Sequence, residues 1–165
     1  MTEHSDELEK RTRKIREQMG GKSRLEKMAK DNKPNIREHI DAILDKGTFQ
    51  EIGTFSRSLR EEDRETTPGD GKIGGEGKIS GRPVAIAGDD ITVKRGSSSI
   101  VGSRKTSRLY ERASKMGFPY IYFGETGGGR IPDLIGSEGI SDAMPSPDIA
   151  RRRRLIPMAS VIVGQ

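Results

Sequence analysis

Three consecutive glycines, Gly127–Gly129, follow the short apolar stretch YIYF at residues 120–123 and precede Arg130. Each glycine costs roughly 0.5–1 kcal/mol relative to alanine inside regular structure, because its backbone loses more freedom on folding. A chain that places three of them directly after a strand needs one of two things. Either another group approaches this backbone closely, or the turn requires a positive φ angle.

Two familiar glycine-rich phosphate sites do not fit this segment. A P-loop ends in Gly-Lys-Ser/Thr, whereas Arg130-Ile131 follow here, and the dinucleotide fingerprint Gly-x-Gly-x-x-Gly fails because Pro132 occupies its last position. The remaining chemical interpretation is an oxyanion hole, in which bare backbone N–H groups bind a ligand oxygen and each contributes roughly 2.7–4 kcal/mol in the transition state. The alternative is a plain tight turn, and the glycines alone leave both open.

Composition limits the classes of protein that remain. The chain has 165 residues, a net charge of +5 and a pI of about 9.6, which indicates one domain and an anionic partner: nucleic acid, a phosphate-bearing cofactor or an anionic membrane. The absence of cysteine excludes disulfides, thiolate chemistry and a zinc ribbon. The N-terminus lacks the apolar region of a signal peptide, and no run has the ~18 apolar residues of a membrane span. We therefore expect a soluble, cytoplasmic protein.

The first part of the chain is predicted to be helical. Residues 1–31 are dominated by Lys, Arg and Glu, which predicts a charged, solvated helical arm with a thin apolar stripe; a docking arm for a partner subunit is the alternative. A further helix is predicted after the N-cap Asn35, ending at Gly47. Its apolar face consists of Ile36, Ile40, Ile43 and Leu44. Residues 56–72 are charged and turn-rich, which predicts a loop or linker.

From residue 73 onward, short strands alternate with helices. Two strands are predicted to turn at Gly81-Arg82, with Pro83 opening the second. A helix capped within Ser97–Ser99 is predicted to stop at Gly117. The side chains expected on its inner face are Leu109, Ala113 and Met116.

The last part of the chain completes an α/β order. YIYF predicts a buried strand, and Asp148 is a candidate cap for a helix through Arg151–Arg154. The closing MASVIVG predicts another buried strand. The resulting order of strand, strand, helix, strand, loop, helix, strand indicates a layered α/β fold.

The polar side chains offer few candidates for catalysis. His4 and His39 both fall in the helical N-terminal section, and no nucleophile elbow is present. Asp89-Asp90 at a strand end are more typical of a turn than of a metal site, so we expect no metal. If the chain is an enzyme, it works through backbone donors and a base carried by the substrate.

Four blocks of sequence resemble a known family. NIREHIDAILDKGTFQEIG, TPGDGKIGGEGKISGRPVAIAGDDITV, GETGGGRI and IPMASVIVG occur in this order, within residues 22–165. These blocks and their order resemble those of the carboxyltransferase subunits of biotin-dependent acyl-CoA carboxylases, above all the β-subunits of the propionyl-CoA carboxylase type. The glycine block and the block containing GRPV are the most specific.

The resemblance implies a fold and a chemistry. The fold is crotonase-like, made of repeated ββα turns, with residues 32–165 as the N-terminal, acyl-CoA-binding part behind the arm at 1–31. Carboxybiotin releases CO₂, the biotin ureido nitrogen takes the α-proton of the thioester, and backbone N–H groups hold the enolate oxygen. By position, Gly128 and Gly129 match the family's donor pair, and Gly127 lets the chain turn.

Further residues and partners follow from the same resemblance. The other candidates for substrate binding are Arg95, Gly96, Ser97 and Arg130, with Arg95 facing either a CoA phosphate or solvent. The implied partners are an acyl-CoA, biotin carboxylase and biotin carrier components, and either further copies of the chain in a homo-oligomer or a complementary carboxyltransferase half.

The chain also departs from the family's pattern. The family usually has Ala where Gly129 stands, Gly-Gly-Ser in place of Arg95-Gly96-Ser97, and Asp-Ser in place of Glu125-Thr126. Family subunits are much longer and carry a biotin-binding half, so we expect this chain to be a truncated piece that is inactive alone.

A different class of function remains open from the sequence. The chain could be a basic interaction or regulatory protein that uses Arg151–Arg154 and its arm on nucleic acid, or a non-catalytic assembly subunit. The 25 interspersed acidic residues and the aromatic content of 4% weigh against nucleic acid.

Overall fold

A five-stranded sheet forms the centre of the molecule. The computed structural model describes residues 3–143 and 155–164. The strands are β1 Gln50–Glu51, β2 Lys72–Ile79, β3 Arg82–Asp89, β4 Tyr120–Gly124 and β5 Met158–Ile162. They lie in the order β1-β2-β3-β4-β5. The first three pair antiparallel, and β4 and β5 continue the sheet in parallel to β3.

Five α-helices accompany the sheet in the described residues. They are α1 Glu3–Gln18, α2 Lys22–Lys30, α3 Ile36–Ile43, α4 Ile100–Met116 and α5 Gly136–Ala143. The crossover from β3 to β4 runs through α4, as parallel neighbours require.

The predicted hairpin of two strands is confirmed, but its turn lies at Ser80-Gly81 rather than at Gly81-Arg82, because Arg82 already pairs with Ile79. β2 and β3 pair from Lys72 opposite Asp89 to Ile79 opposite Arg82. The turn residues Ser80 and Gly81 have φ angles of 51° and 78°, the left-handed conformation that a two-residue hairpin turn needs. The first strand begins at Lys72, inside the segment predicted as a linker, because pairing with β3 extends it.

Alternation of side chains along β3 divides the core into two layers. Val84 and Ile86 pack with α3 on one face of the sheet, whereas Ala85 and Ala87 pack with α4 on the other. The first cluster contains the buried residues Met19, Ile36, Ile40, Leu44, Ile73, Val84, Ile86 and Phe123. The second contains Ala85, Ala87, Leu109, Tyr110, Ala113, Tyr120 and Ile156.

The predicted helix starts are confirmed, and two details of the helices were wrong. Asn35 accepts hydrogen bonds from the first turn of α3, and Ser99 accepts one from the Gly102 N–H at 3.0 Å. Helix α3 ends at Ile43 rather than Gly47, because Leu44 is already extended. Met116 is 54% exposed rather than on the inner face of α4, where Leu109 and Ala113 are buried.

The N-terminal arm is docked through its thin apolar stripe, whereas most of its other side chains are exposed. Met19 and Met28 are buried, and Met19 belongs to the same cluster as Phe123 of β4. Arg16 of α1 pairs with the buried carboxylate of Glu51 at 3.1 Å. The thin apolar stripe of the sequence is thus sufficient to attach the arm to the domain.

β5 was predicted as a buried strand, and its burial was wrong. The strand forms, but all five of its residues are exposed, because it is the edge of the sheet and nothing in the described residues covers its outer side. The predicted helix from Asp148 through Arg151–Arg154 lies outside the described residues.

Candidate functional site: the paired glycine and serine loops

The glycine loop is held by a parallel bridge to the loop that precedes α4. Ser98 and Gly129 are the bridge partners. The Ser98 N–H donates to the Gly128 carbonyl at 2.8 Å, and the Arg130 N–H donates to the Ser98 carbonyl at 2.7 Å. Both loops follow the carboxyl ends of neighbouring parallel strands, β3 and β4, where α/β folds commonly bind ligands.

A second set of contacts joins the same loops at residues that precede the bridge in the chain. The Gly127 N–H donates to the Arg95 carbonyl at 2.8 Å. The Thr126 hydroxyl donates to the Gly96 carbonyl at 3.0 Å. A Cβ at residue 96 would lie 2.5 Å from the Glu125 carbonyl, so only glycine allows this approach. The structure therefore brings Arg95 and Gly96 together with the three glycines.

The amides of Gly128 and Gly129 differ in availability. The Gly128 N–H donates to the Thr126 hydroxyl at 3.2 Å. In this parallel bridge, Ser98 bonds to the residues on either side of Gly129, so the Gly129 N–H points away from Ser98, and among the described residues it has no acceptor. Both residues are exposed. Among the described residues, the Gly129 N–H is thus available as a donor, whereas the Gly128 N–H is bonded to Thr126.

The three glycines differ in what a side chain at each position would meet. Gly128 has a φ of +105°, which side chains rarely adopt. A Cβ at residue 127 would lie 3.1 Å from the Arg95 carbonyl, and one at residue 129 would lie 2.8 Å from a methyl group of Leu134. Gly128 is required by its conformation and Gly127 is favoured by the close Arg95 carbonyl, whereas a Cβ at residue 129 would only displace a flexible methyl group.

Arg130 lies beneath the loop rather than on its surface. Its side chain is 5% exposed, pairs with Asp70 at 2.6 Å and Asp133 at 3.0 Å, and its Nε donates to the Ser97 hydroxyl at 3.4 Å. Ser97 is buried as well. The side chains of Arg130 and Ser97, both predicted to bind substrate, are therefore committed to the interior, whereas that of Arg95 is exposed.

A second buried group of charges supports the site from the strand side. Lys72 forms an ion pair with Asp89 and donates to the Gly96 carbonyl at 2.9 Å. Asp89 also accepts from the Tyr122 hydroxyl at 2.6 Å and the Glu125 N–H at 2.9 Å. Burial, with the Asp89 charge adding to it, raises the pKa of both Tyr122 and Glu125.

Sequence reasoning missed Asp70 and Lys72, which hold the two loops from below. Asp70 accepts from the Gly102 N–H at 2.9 Å and from the Ser99 hydroxyl, so it also fixes the start of α4. Both residues lie in a segment whose charged and turn-forming residues predicted a loop or linker. The usable signal was the block TPGDGKIGG, in which a lone Asp and Lys stand among small residues.

The described residues provide little else that could serve as a site. Asp89 and Asp90 are engaged in hydrogen bonds, and no group of three or more His, Asp or Glu in the described part of the chain could hold a metal ion. None of the helices described there is long and apolar enough to cross a membrane.

Residues 27–165 match the sequence profile of the carboxyl transferase domain. The chain belongs to this family. It is 37% identical over 155 residues to the methylmalonyl-CoA carboxyltransferase 12S subunit of Propionibacterium freudenreichii subsp. shermanii, a match that covers 92% of this chain and 29% of that protein. It is 35% identical over 167 residues to the propionyl-CoA carboxylase beta chain of Cereibacter sphaeroides, covering 96% of this chain and 31% of that one.

Solved structures agree with this assignment. The transcarboxylase 12S crystal structure with bound methylmalonyl-coenzyme A superposes with a TM-score of 0.87 at 29% identity, covering 99% of this chain and 33% of that one. A single-chain, multi-domain long-chain acyl-CoA carboxylase superposes with a TM-score of 0.83 at 27% identity, covering 98% and 17%. The predicted crotonase-like α/β fold is confirmed. The chain spans about a third of the length of the curated relatives it matches.

Proposed function

We propose that this carboxyl transferase domain chain is the acyl-CoA-binding part of a biotin-dependent carboxyltransferase. The observation that carries the proposal is the Gly129 N–H, which has no acceptor among the described residues and lies on an exposed glycine surface beyond the carboxyl end of β4. A thioester oxygen can reach this amide because residues 127–129 carry no side chains. The names of the relatives given above describe enzymes that act on CoA esters.

The chemistry that we propose is stabilisation of an enolate. Removal of the α-proton of an acyl thioester moves negative charge onto the thioester oxygen, and a fixed amide donor lowers the energy of that state more than that of the neutral ester. The Gly129 N–H is fixed by the bridge to Ser98 and by the buried charges below it. The enolate carbon is then the nucleophile that accepts the carboxyl group.

Two of the titratable side chains in the two loops are already paired. Lys94 pairs with Asp63 at 2.8 Å, and Arg130 is buried with Asp70. Burial raises the pKa of Glu125. This arrangement fits a reaction whose base arrives with a substrate, as the sequence predicted.

The carboxyl donor of the complete protein is proposed to be biotin on a carrier. A relative that matches this chain is named a biotin-dependent long-chain acyl-CoA carboxylase subunit. The described residues offer one free amide that suits a thioester oxygen but no enclosed cradle that a biotin ring would fill, so we assign none of them to it. We likewise propose that biotin carboxylase and carrier components, and further copies of a carboxyltransferase subunit, are partners of the complete protein.

The test is a titration that isolates the thioester carbonyl. Propionyl-CoA is compared with propyl-CoA, a thioether that lacks only the carbonyl oxygen, by calorimetry on the full chain. Loss of one hydrogen bond predicts roughly two- to tenfold weaker binding of the thioether. Equal affinity for the two ligands would remove the amide from the proposal. Salt-sensitive binding of random-sequence DNA at physiological ionic strength, with no binding of either CoA compound, would favour the interaction protein instead.

A further inference from the structure

The N-terminal arm contacts the domain close to the site. Between α1 and α2, the Gly20 N–H donates to the Thr92 hydroxyl at 2.9 Å. A Cβ at residue 20 would overlap the Thr92 carbonyl, and Gly20 does not have a positive φ. Glycine is therefore needed there for close approach alone. Arg24 of α2 donates to the same Thr92 carbonyl. The arm therefore bonds to both the hydroxyl and the carbonyl of Thr92.

Thr92 is fixed equally firmly on its other side. It is 1% exposed. Its N–H and its hydroxyl both donate to the Asp90 carboxylate, at 2.9 and 2.5 Å. The Asp90 N–H donates to the Gly71 carbonyl at 2.9 Å, next to the buried Asp70 and Lys72. The Thr92 hydroxyl thus links an arm amide to a buried carboxylate.

The residues that follow Thr92 lead directly into the site. The Val93 N–H donates to the Asp90 carbonyl at 3.0 Å, and the Gly96 N–H donates to the Val93 carbonyl at 2.9 Å. Two carbonyls of this segment, those of Arg95 and Gly96, receive hydrogen bonds from the glycine loop. A movement of Thr92 is therefore transmitted within a few residues to the partners of Gly127 and Thr126.

We infer that the contact between Gly20 and Thr92 is a positioning device for the glycine loop. The arm up to residue 26 precedes the family match, which begins at residue 27, yet Gly20 and Arg24 in that arm fix the segment on which the loop rests. Gly20 and Thr92 are positioning residues, because they act on the site through Arg95 and Gly96. Only the acyl-CoA readout below rests on the proposed function.

Amide hydrogen exchange, measured residue by residue by NMR on the full chain, tests this inference. Thr92→Val keeps the volume and removes the hydroxyl, Gly20→Ala removes the close approach, and Thr92→Ser is the control that keeps the hydroxyl. The reporters are the loop amides of Ser98, Gly127 and Arg130. We expect roughly two- to tenfold faster exchange at these amides in the first two variants, relative to the amides of the β2–β3 hairpin, and rates close to wild type in Thr92→Ser.

Two results would overturn the inference. One is unchanged exchange at the three loop amides in Thr92→Val and Gly20→Ala. The other is an equal rise at the hairpin amides, because the contact then stabilises the whole domain rather than the loop.

Affinity for propionyl-CoA separates this inference from the proposed function. If wild type binds, Thr92→Val is expected to bind more weakly and Thr92→Ser to bind like wild type. If wild type does not bind, the proposed function fails, and the exchange rates still decide whether the arm positions the loop.

Discussion

Replacing Arg130 by methionine removes the charge that neutralises a buried carboxylate. The side chains of Arg130 and Asp70 are 5% and 0% exposed, and they pair at 2.6 Å. Methionine keeps most of the apolar volume but leaves Asp70 charged and without its cation. Removing one partner of a buried pair costs about 3–5 kcal/mol. Asp70 keeps hydrogen bonds from Ser99 and Gly102, so we expect a loss of about 3 kcal/mol.

The assay is urea unfolding at pH 7, followed by circular dichroism and extrapolated linearly to water. The double variant Arg130→Met with Asp70→Asn removes the isolated charge at residue 70 and keeps a carbonyl oxygen as acceptor there, while the charge of the second partner, Asp133, remains. It is therefore expected to recover about 1 kcal/mol or more of the loss. A loss below about 1 kcal/mol for Arg130→Met would mean that the Arg130–Asp70 pair contributes no more to stability than a surface ion pair. If that small loss came with abolished propionyl-CoA binding, Arg130 would be a substrate contact after all.

Three further predictions concern other parts of the molecule. Burial lowers the pKa of Lys105 to about 8 although three backbone carbonyls accept from it. Because the unfolded chain then binds more protons above pH 8, the free energy of unfolding should rise with pH between about 8 and 9 by up to ~1 kcal/mol per unit. This window lies below the pH range in which the raised pKa of Tyr120 and Tyr122 makes stability fall. Lys105→Met should abolish the slope in urea titrations. Ile40, fully buried against the sheet, should lose about 2–5 kcal/mol as Ile40→Ala, and a loss no greater than that of an exposed site such as Ile43→Ala would contradict the packing. Gly129→Ala keeps the amide and displaces only a methyl group of Leu134, so propionyl-CoA binding should survive in this variant and weaken in Gly129→Val; equal affinities would remove residue 129 from the site.

Local signals in the sequence predicted much of the fold. Asn35 and Ser99 are N-caps because their side chains accept from backbone amides two or three residues on, and Gly117 ends α4 in the left-handed conformation. The hairpin is set by its own turn. Each of these features depends on residues close in the chain, so a single sequence contains the information.

The parts that sequence could not predict depend on distant residues. Arg130 was assigned to substrate, but its partner Asp70 is 60 positions away. Whether Gly128 or Gly129 has the free amide is decided by Thr126 and by the bridge to Ser98, which no local pattern records. The docking of the arm depends in the same way on Thr92, which approaches Gly20 only in the folded chain.

The predictions of substrate-binding roles for Arg95, Gly96 and Gly127 stay predictions. The structure places these residues in one pair of loops, where the backbone of each contributes to the bridge contacts. The alternative of a plain tight turn stays a prediction as well, because the Gly129 amide is exposed and water satisfies it in a turn without a ligand.

The Gly129 N–H is proposed to bind the thioester oxygen of an acyl-CoA. The most direct measurement is the ¹³C chemical shift of the carbonyl carbon of [1-¹³C]propionyl-CoA, free and bound to the full chain. An amide-to-ester replacement at residue 129 removes this N–H without adding a side chain, and the same replacement at residue 128 removes an N–H that is already bonded to Thr126. We predict a downfield shift on binding that is lost in the residue 129 ester and retained in the residue 128 ester. A downfield shift that survives in the residue 129 ester would show that a group other than the Gly129 N–H binds the thioester oxygen.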